Sequence, residues 1–315
     1  MSGGRGVGRG IAVGLLAGFV VDRVFGDPAR YHPVAALGRA AGVAERAMYR
    51  DSRPAGLLFT TVCAGSAWGA GRLVGGSRPE WVRAAVTAST AWSALGGTTL
   101  TRIGDEVADA LDAGDLDAAR ALLPSLCGRD PSVLDGAGIA RAALESIAEN
   151  TSDAAVAPLV WGAVAGVPGL VVYRTVNTLD AMVGYRTDRH GRFGWASARL
   201  DDLANIVPAR ITGVLAVVLG PDAPGAVRAW RRDARRHPSP NAGVAEAAFA
   251  GALGVTLGGR TEYPHGVEER PRLGDGPAPD TADLRAAVAL SRRIQVATAV
   301  GAAGLAAVLS RRSVR

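Results

Sequence analysis

Three carboxylates recur at intervals of four in the stretch Glu145-Ser-Ile-Ala-Glu149-Asn150-Thr-Ser-Asp153. On one continuous α-helix that spacing puts all three on the same face. Like charges at this spacing repel, so the arrangement calls for a cation. Mg²⁺, bound through carboxylates and substrate phosphates, is the natural candidate. Glu145, Glu149 and Asp153 are thus expected as metal ligands. Glu149 is also expected to act in catalysis, with Asn150 beside it for substrate. The plain alternative is a solvated acidic face.

Two further polar constellations follow. In Tyr173-Arg174-Thr-Val-Asn177-Thr-Leu-Asp180, leading to Gly184-Tyr185-Arg186, Asn177 and Asp180 share a helical face. Arg174 and Arg186 suit phosphate or carboxylate in fork geometry. In Arg199-Leu-Asp201-Asp202-Leu-Ala-Asn205, running on to Pro208 and Arg210, Asp201 and Asn205 lie four apart. Arg210 sits among apolar residues. A charge at a bilayer centre costs about 2.5–3.5 kcal/mol, so such residues usually face a cavity or a partner. Ion pairs among these elements are the alternative reading. Weaker signals are the turn Gly26-Asp27-Pro28 with Arg30 and His32, and His237-Pro-Ser-Pro-Asn241 ahead of Glu246. Glu246 reads either as a functional carboxylate or as an arginine partner, with the second slightly favoured.

The elements that carry these residues are apolar. The chain has 315 residues, 48% hydrophobic, with a mean hydropathy of +0.16. That composition excludes a disordered chain. Apolar segments run over residues 11–25, 55–73, 84–101, 154–173, 203–221, 247–259 and 294–310. A membrane span needs roughly 20 mostly apolar residues. Segment 203–221 is interrupted by Pro208 and Arg210 and reads as re-entrant. Segment 247–259 is short and reads as interfacial. The first segment follows Arg5 and Arg9 as a signal peptide would, but no small-residue cleavage site follows, so a retained helix is expected.

Many of the 42 glycines lie inside apolar runs, as close helix packing in lipid requires. An acidic helical hairpin is expected over 102–127, broken at Gly114 and capped by Asp115. The stretch from Arg270 to Asp283 looks linker-like. The expected fold is all-α: a polytopic helical membrane protein forming one membrane-integrated domain over 1–315, with small-residue packing and polar helical loops. Basic loops at 174–199 and 228–236 favour the cytoplasmic side.

All 35 basic residues are arginine. A Schiff-base lysine and a Walker-A loop are therefore excluded. The net charge is +6 and the pI about 10.1. With aromatics at 5%, nucleic acid is not an expected partner; anionic lipid, phosphate and carboxylate are. Cys63 and Cys127 form no metal or redox motif.

Taken together, the motifs resemble one family. They are Gly26-Asp-Pro with Arg30-Tyr-His-Pro-Val34, Glu145 to Asn150, Asp153 to Trp161, Tyr173 to Asp180, Met182 to Arg186, Phe193-Gly-Trp195, Arg199 to Asp202 and Ser239 to Gly243. In this order they resemble the CobD/CbiB family of cobalamin biosynthesis, the membrane-bound adenosylcobinamide-phosphate (cobinamide) synthases. The resemblance runs from about Gly14 to Leu290.

It implies a multi-pass protein of the cell membrane and an ATP-dependent amide ligase. The ligase would join (R)-1-amino-2-propanol, or its O-phosphate, to the free propionate of adenosylcobyric acid. Other corrinoid-pathway proteins, or a second copy of the chain, are possible partners. With this chemistry, Glu145, Glu149 and Asp153 would position Mg²⁺. Arg174, Arg186 and Arg199 would bind ATP or aminopropanol phosphate, and Asn150, Asn177, Asn241 and His32 would contact substrate. Asp180 or Asp201 would orient or deprotonate the amine. Two other classes stand beside this reading. One is an aspartate-rich intramembrane prenyltransferase, although the closely repeated aspartates of its first motif are missing. The other is a corrinoid transporter or scaffold.

Overall fold

The computed structural model describes residues 3–27, 33–185, 187–263 and 266–312. In chain order the helices are α1 (Gly3–Phe25), α2 (Pro33–Met48), α3 (Arg53–Gly75), α4 (Glu80–Ala94), α5 (Gly97–Asp112) and α6 (Leu116–Leu122), then α7 (Gly136–Asn150). A π-helical segment, Thr151–Val156, joins α7 to α8 (Ala157–Val183). They are followed by α9 (Trp195–Leu219), α10 (Ala223–Asp233) and α11 (Ala242–Leu253). A hairpin of β1 (Leu257–Tyr263) and β2 (Gly266–Leu273) precedes α12 (Thr281–Arg312). Among the described residues the fold is all-α apart from this hairpin.

Among the described residues, four helical stretches are long and apolar enough to cross a membrane: Arg53–Gly75, Gly136–Val183, Trp195–Leu219 and Thr281–Ser310. Large apolar side chains stand exposed along them, including Leu57, Leu58 and Trp68 on α3, Val207, Val214 and Val218 on α9, and Val300 and Val308 on α12. Helices satisfy their own backbone polar groups, so an outward apolar face of this length is suited to lipid.

The segments differ from the sequence reading in several places. The run 84–101 is split: α4 ends at Ala94, Leu95 is extended, and α5 starts at Gly97. The run 203–221 does not break at Pro208 but lies in the continuous helix α9. Within α8, Gly166 takes φ 63 and ψ −144, values outside the helical range. Only glycine enters that region cheaply, and Pro168 just beyond lacks an N–H, so the run 154–173 is bent there. The run 247–259 is helical only as far as Leu253 and enters β1 at Leu257, because Gly254 (φ 70) closes α11. The linker-like stretch from Arg270 begins inside β2.

The contacts gather into two units. The first comprises 1–96, 157–205 and 298–315. Its core joins Leu15, Ala91, Leu95, Leu159, Leu170 and Ala302. Small residues let its helices approach closely. A Cβ on Gly18 would lie 2.7 Å from Ala88 O and from Ala91 Cβ, so α1 and α4 meet backbone to backbone. A second cluster packs Ala41, Phe59, Leu179 and Phe193.

The second unit comprises 97–156 and 206–297. The acidic hairpin forms here as α5 and α6, with Gly114 at φ 72 and the Asp115 carboxylate accepting from Ala118 N at 2.9 Å. Its acidic face docks on α12: Asp109 and Asp112 hold Arg285 at 2.8 and 2.6 Å, and Asp105 pairs with Arg292. From Ala242 to Ala252, every residue of α11 is buried, which is why that helix carries no polar stripe.

Candidate functional site

Each unit builds one polar centre. In the first unit, α8 and α9 carry a chain of hydrogen bonds through otherwise apolar surroundings. Tyr173 Oη donates to Asn205 Oδ1 at 2.9 Å, and Asn205 Nδ2 donates to Asp201 Oδ2 at 3.0 Å. Asn177 Nδ2 donates to Asp201 Oδ1 at 3.4 Å, and Arg174 Nη1 donates to Asn177 Oδ1 at 3.3 Å. The helical period aligns Arg174 with Asn177 and Asp201 with Asn205. Asp201, Asn205 and Tyr173 are all buried. Burial without partners would cost about 1–3 kcal/mol per polar group; the chain supplies the partners.

Asp180 lies one turn beyond Asn177, where its carbonyl accepts Gly184 N at 2.7 Å. A Cβ on Gly184 would collide with the Asp180 carboxylate, so the glycine lets the chain leave the helix beside it. Arg199 does not turn toward Asp201. It pairs with Asp202 at 3.0 Å on an exposed face. His32 and Arg186 lie outside the described residues.

In the second unit, Glu145 on α7 is 3% exposed and pairs with Arg129. Its Oε1 accepts Gly258 N at 2.7 Å. That N–H is aimed inward by an irregularity in the hairpin register between Leu257 and Gly259, where Gly258 and Gly259 take φ of 80 and 82. Such bulges commonly redirect a backbone group. Arg270 of β2 reaches the same place. Its guanidinium is 3.9 Å from Glu145 Oε2 and 3.9 Å from Glu246 Oε1, and it bonds His237. His237 Nε2 lies 3.6 Å from Glu246 Oε1. Glu246 is thus an arginine partner, as its sequence context suggested.

Glu149 faces this group electrostatically, interacting with Glu246, Arg270, His237 and Arg129. Three carboxylates, Glu145, Glu149 and Glu246, therefore confront two guanidinium groups and one imidazole. Burial pushes the Glu246 carboxyl up to about 7, against the opposing pull of Arg270 and Arg129. Burial and Arg270 push His237 down from its ordinary value, so the imidazole is favoured in its neutral form.

The expected metal triad is not assembled. Glu145 is committed to Arg129 and Gly258, and Asp153 lies in the π-helical segment beyond the end of α7. Among the described residues no three His, Cys, Asp or Glu side chains converge to hold a metal ion. Asn150 turns back to Ser146, its Nδ2 lying 3.1 Å from both the carbonyl and the hydroxyl oxygen. Asn241 accepts from Arg210 Nη1 at 2.7 Å, which gives that apolar-flanked arginine its partner.

Sequence reasoning did not foresee Arg129 or Arg270 in this cluster. Neither has a periodic signal, since both come from irregular or β structure. Asn205 was visible from its spacing to Asp201. Tyr173 was visible only as a neighbour of Arg174.

Residues 15–291 match the family model described as CobD/Cbib protein. The chain belongs to that family. Members similar to it include the cobalamin biosynthesis protein CobD of Mycobacterium tuberculosis, 57% identical over 297 residues, covering 92% of this chain and 94% of the relative. The CobD of Geobacter metallireducens is 44% identical over 273 residues, covering 83% and 86%. That of Rhodobacter capsulatus is 53% identical over 204 residues, covering 64% and 65%. No solved structure matches. Membership of the CobD/Cbib family places the chain in cobalamin biosynthesis.

Proposed function

We propose that this CobD/Cbib member is an ATP-dependent amide ligase of the cell membrane. It joins (R)-1-amino-2-propanol, or its O-phosphate, to the free propionate of adenosylcobyric acid, giving adenosylcobinamide or its phosphate. The observation that carries the reading is the hydrogen-bonded chain from Arg174 through Asn177 and Asp201 to Asn205 and Tyr173. It sets a guanidinium and a carboxylate at the two ends of an Asn177 bridge. An amine that carries a phosphate needs both: a cation for the phosphate and a carboxylate for the ammonium.

The propionate is a poor electrophile. In the proposed reaction its oxygen attacks the γ-phosphorus of ATP, ADP leaves, and an acyl phosphate forms. The amine nitrogen then bonds to the acyl carbon and inorganic phosphate departs. Asp201, with Asp180 one turn along α8 from Asn177, accepts the proton that the amine must lose. With no lysine in the chain, the phosphate charge falls to arginine: Arg174, and by sequence Arg186. The Glu145 set does not fit a resident metal, because Glu145 is taken up by Arg129 and Gly258. Mg²⁺ is proposed only as part of the nucleotide complex.

The test is mass spectrometry of adenosylcobyric acid incubated with membranes containing the chain, ATP, Mg²⁺ and each amine. The expected result is a mass gain equal to the amine less water, dependent on ATP. An unchanged corrinoid mass with both amines overturns the reading. Movement of unmodified corrinoid across the membrane would indicate a transporter, and transfer from a prenyl diphosphate a prenyltransferase.

A further inference from the structure

Arginine is gathered densely on the second unit. Arg228, Arg231, Arg232, Arg235 and Arg236 lie on α10 and the turn that ends it, and all five are exposed. Arg232 is held by Asp233 and Asp275, each at 2.6 Å. Arg236 reaches Asp233 at 3.5 Å and Arg228 reaches Asp222 at 3.8 Å. Among the described residues, Arg231 and Arg235 have neither an ion pair nor a hydrogen bond. Five guanidinium groups thus face three carboxylates, and two positive charges are left over. Arg228, Arg231 and Arg235 also recur at helical spacing, where like charges repel. The stripe calls for an external anion.

Packing fixes the level of this stripe along α9. A Cβ on Gly213 would lie 2.9 Å from the Trp230 ring of α10 and 3.0 Å from Val244 of α11. Arg210 Nη1 donates to Asn241 Oδ1 at 2.7 Å. Arg231 and Arg235 fall between Trp230 and Asn241 in the chain. Having left α9 at Leu219, the chain therefore runs back beside it as far as Gly213 and Arg210, about 9–13 Å at roughly 1.5 Å per residue. The arginines stand beside the second half of α9, not beyond its end. On that same half Val207, Val214 and Val218 are exposed and recur at helical spacing. Val207 and Val214 share an open groove of about 420 Å³ with Ile206, Ile211 and Leu215.

This pairing suits neither of two environments. In the hydrocarbon core, five exposed arginines at one level would carry a heavy insertion penalty. In bulk water, the valine stripe would be an uncovered apolar surface. The bilayer interface satisfies both, since amphipathic elements there bury an apolar face by roughly 5–10 Å and leave basic groups among the headgroups. Trp230, half-buried in the same place, is a residue type enriched at that depth.

We propose that α10 and the second half of α9 form a docking surface for anionic phospholipid. Arg231 and Arg235 meet the lipid phosphates, and Val207, Val214 and Val218 rest at the acyl boundary. Neither the surface nor its test depends on the ligation proposed above.

The test uses the full chain in nanodiscs, with bimane on Val214→Cys and with Cys63 and Cys127 replaced by serine. Phosphatidylglycerol and phosphatidylcholine, spin-labelled either near the headgroup or near the acyl chain end, serve as quenchers. The shallow label should quench more than the deep one. Phosphatidylglycerol should be preferred about fivefold or more, and added salt should lower the preference. Arg231→Gln/Arg235→Gln should bring the preference below about twofold. Arg231→Lys/Arg235→Lys, which keeps the charge, should retain most of it, as should Arg102→Gln/Arg192→Gln, which removes two exposed arginines elsewhere. Stronger quenching by the deep label overturns the proposal, because α9 then crosses at this level. Absence of quenching overturns it too, because water or a protein then covers the face. So does equal affinity for the two lipids, or loss of the preference in the lysine variant or the Arg102/Arg192 variant. Removal of the preference by millimolar glycerol 3-phosphate at fixed ionic strength would assign the arginines to a soluble phosphate instead.

Discussion

His237 Nε2 and Glu246 Oε1 stand 3.6 Å apart, both buried, with Arg270 against the pair. Their proton affinities are displaced in opposite directions by the same cause, the loss of water. Glu246 is held up at about 7 and His237 is held down.

The signs give a pH test. The folded state keeps a proton on Glu246 that the unfolded state releases above its ordinary carboxylate range. Glu246 therefore favours folding at low pH, and this contribution is lost as pH rises toward about 7. For His237 the folded state binds fewer protons than the unfolded state, so stability falls as pH drops below about 6.5. In the wild type the two slopes oppose each other. In Glu246→Gln, thermal stability in detergent should climb as pH rises from about 5 to 6.5. In His237→Gln it should decline over that range. Parallel profiles for the two variants would contradict the assignment.

Arg129 and Glu145 form a buried pair. Removing one partner of such a pair strands the other, at a cost of about 3–5 kcal/mol. Arg129→Gln should lower the melting temperature sharply, and Arg129→Gln/Glu145→Gln should recover part of the loss. A double variant less stable than Arg129→Gln would show that the Gly258 N–H, not the ion pair, dominates at Glu145.

Asp201 accepts from both Asn177 and Asn205. Asp201→Asn sets an amide NH₂ against one of these donors, costing about 1–3 kcal/mol. The exchange Asp201→Asn/Asn205→Asp keeps an amide–carboxylate bond but moves the charge one turn along α9. Thermal melts should show stability largely restored by the exchange. The ligation assay should show activity still lost. Recovery of both would mean that the carboxylate's position does not matter to the reaction.

Gly18 touches α4 without space for a side chain. Gly18→Val should cost about 1–3 kcal/mol through overpacking, read as a lower melting temperature and reduced yield. Gly65, with nothing within 4 Å of a Cβ, is the control: Gly65→Ala should leave both unchanged.

Much of this was legible in one dimension. The apolar runs on α3, α9 and α12, the glycines of α1, and the i,i+4 link from Asp201 to Asn205 are local patterns, and local patterns survive folding. The absence of lysine fixed arginine as the cation of any phosphate site. The fate of the Glu145 stripe was not legible, because spacing alone does not reveal a π-helical segment or an arginine arriving from elsewhere. Arg129 comes from the loop before α7 and Arg270 from a strand far along the chain. Their meeting with Glu145 and Glu246 depends on the bulge at Gly258 and on the burial of α11. The sequence by itself determined which runs are apolar and which residues carry charge. Only the tertiary structure decided which charges neutralise one another and which stay exposed without a partner, because a buried charge takes its partner from across the fold, where sequence spacing has no say.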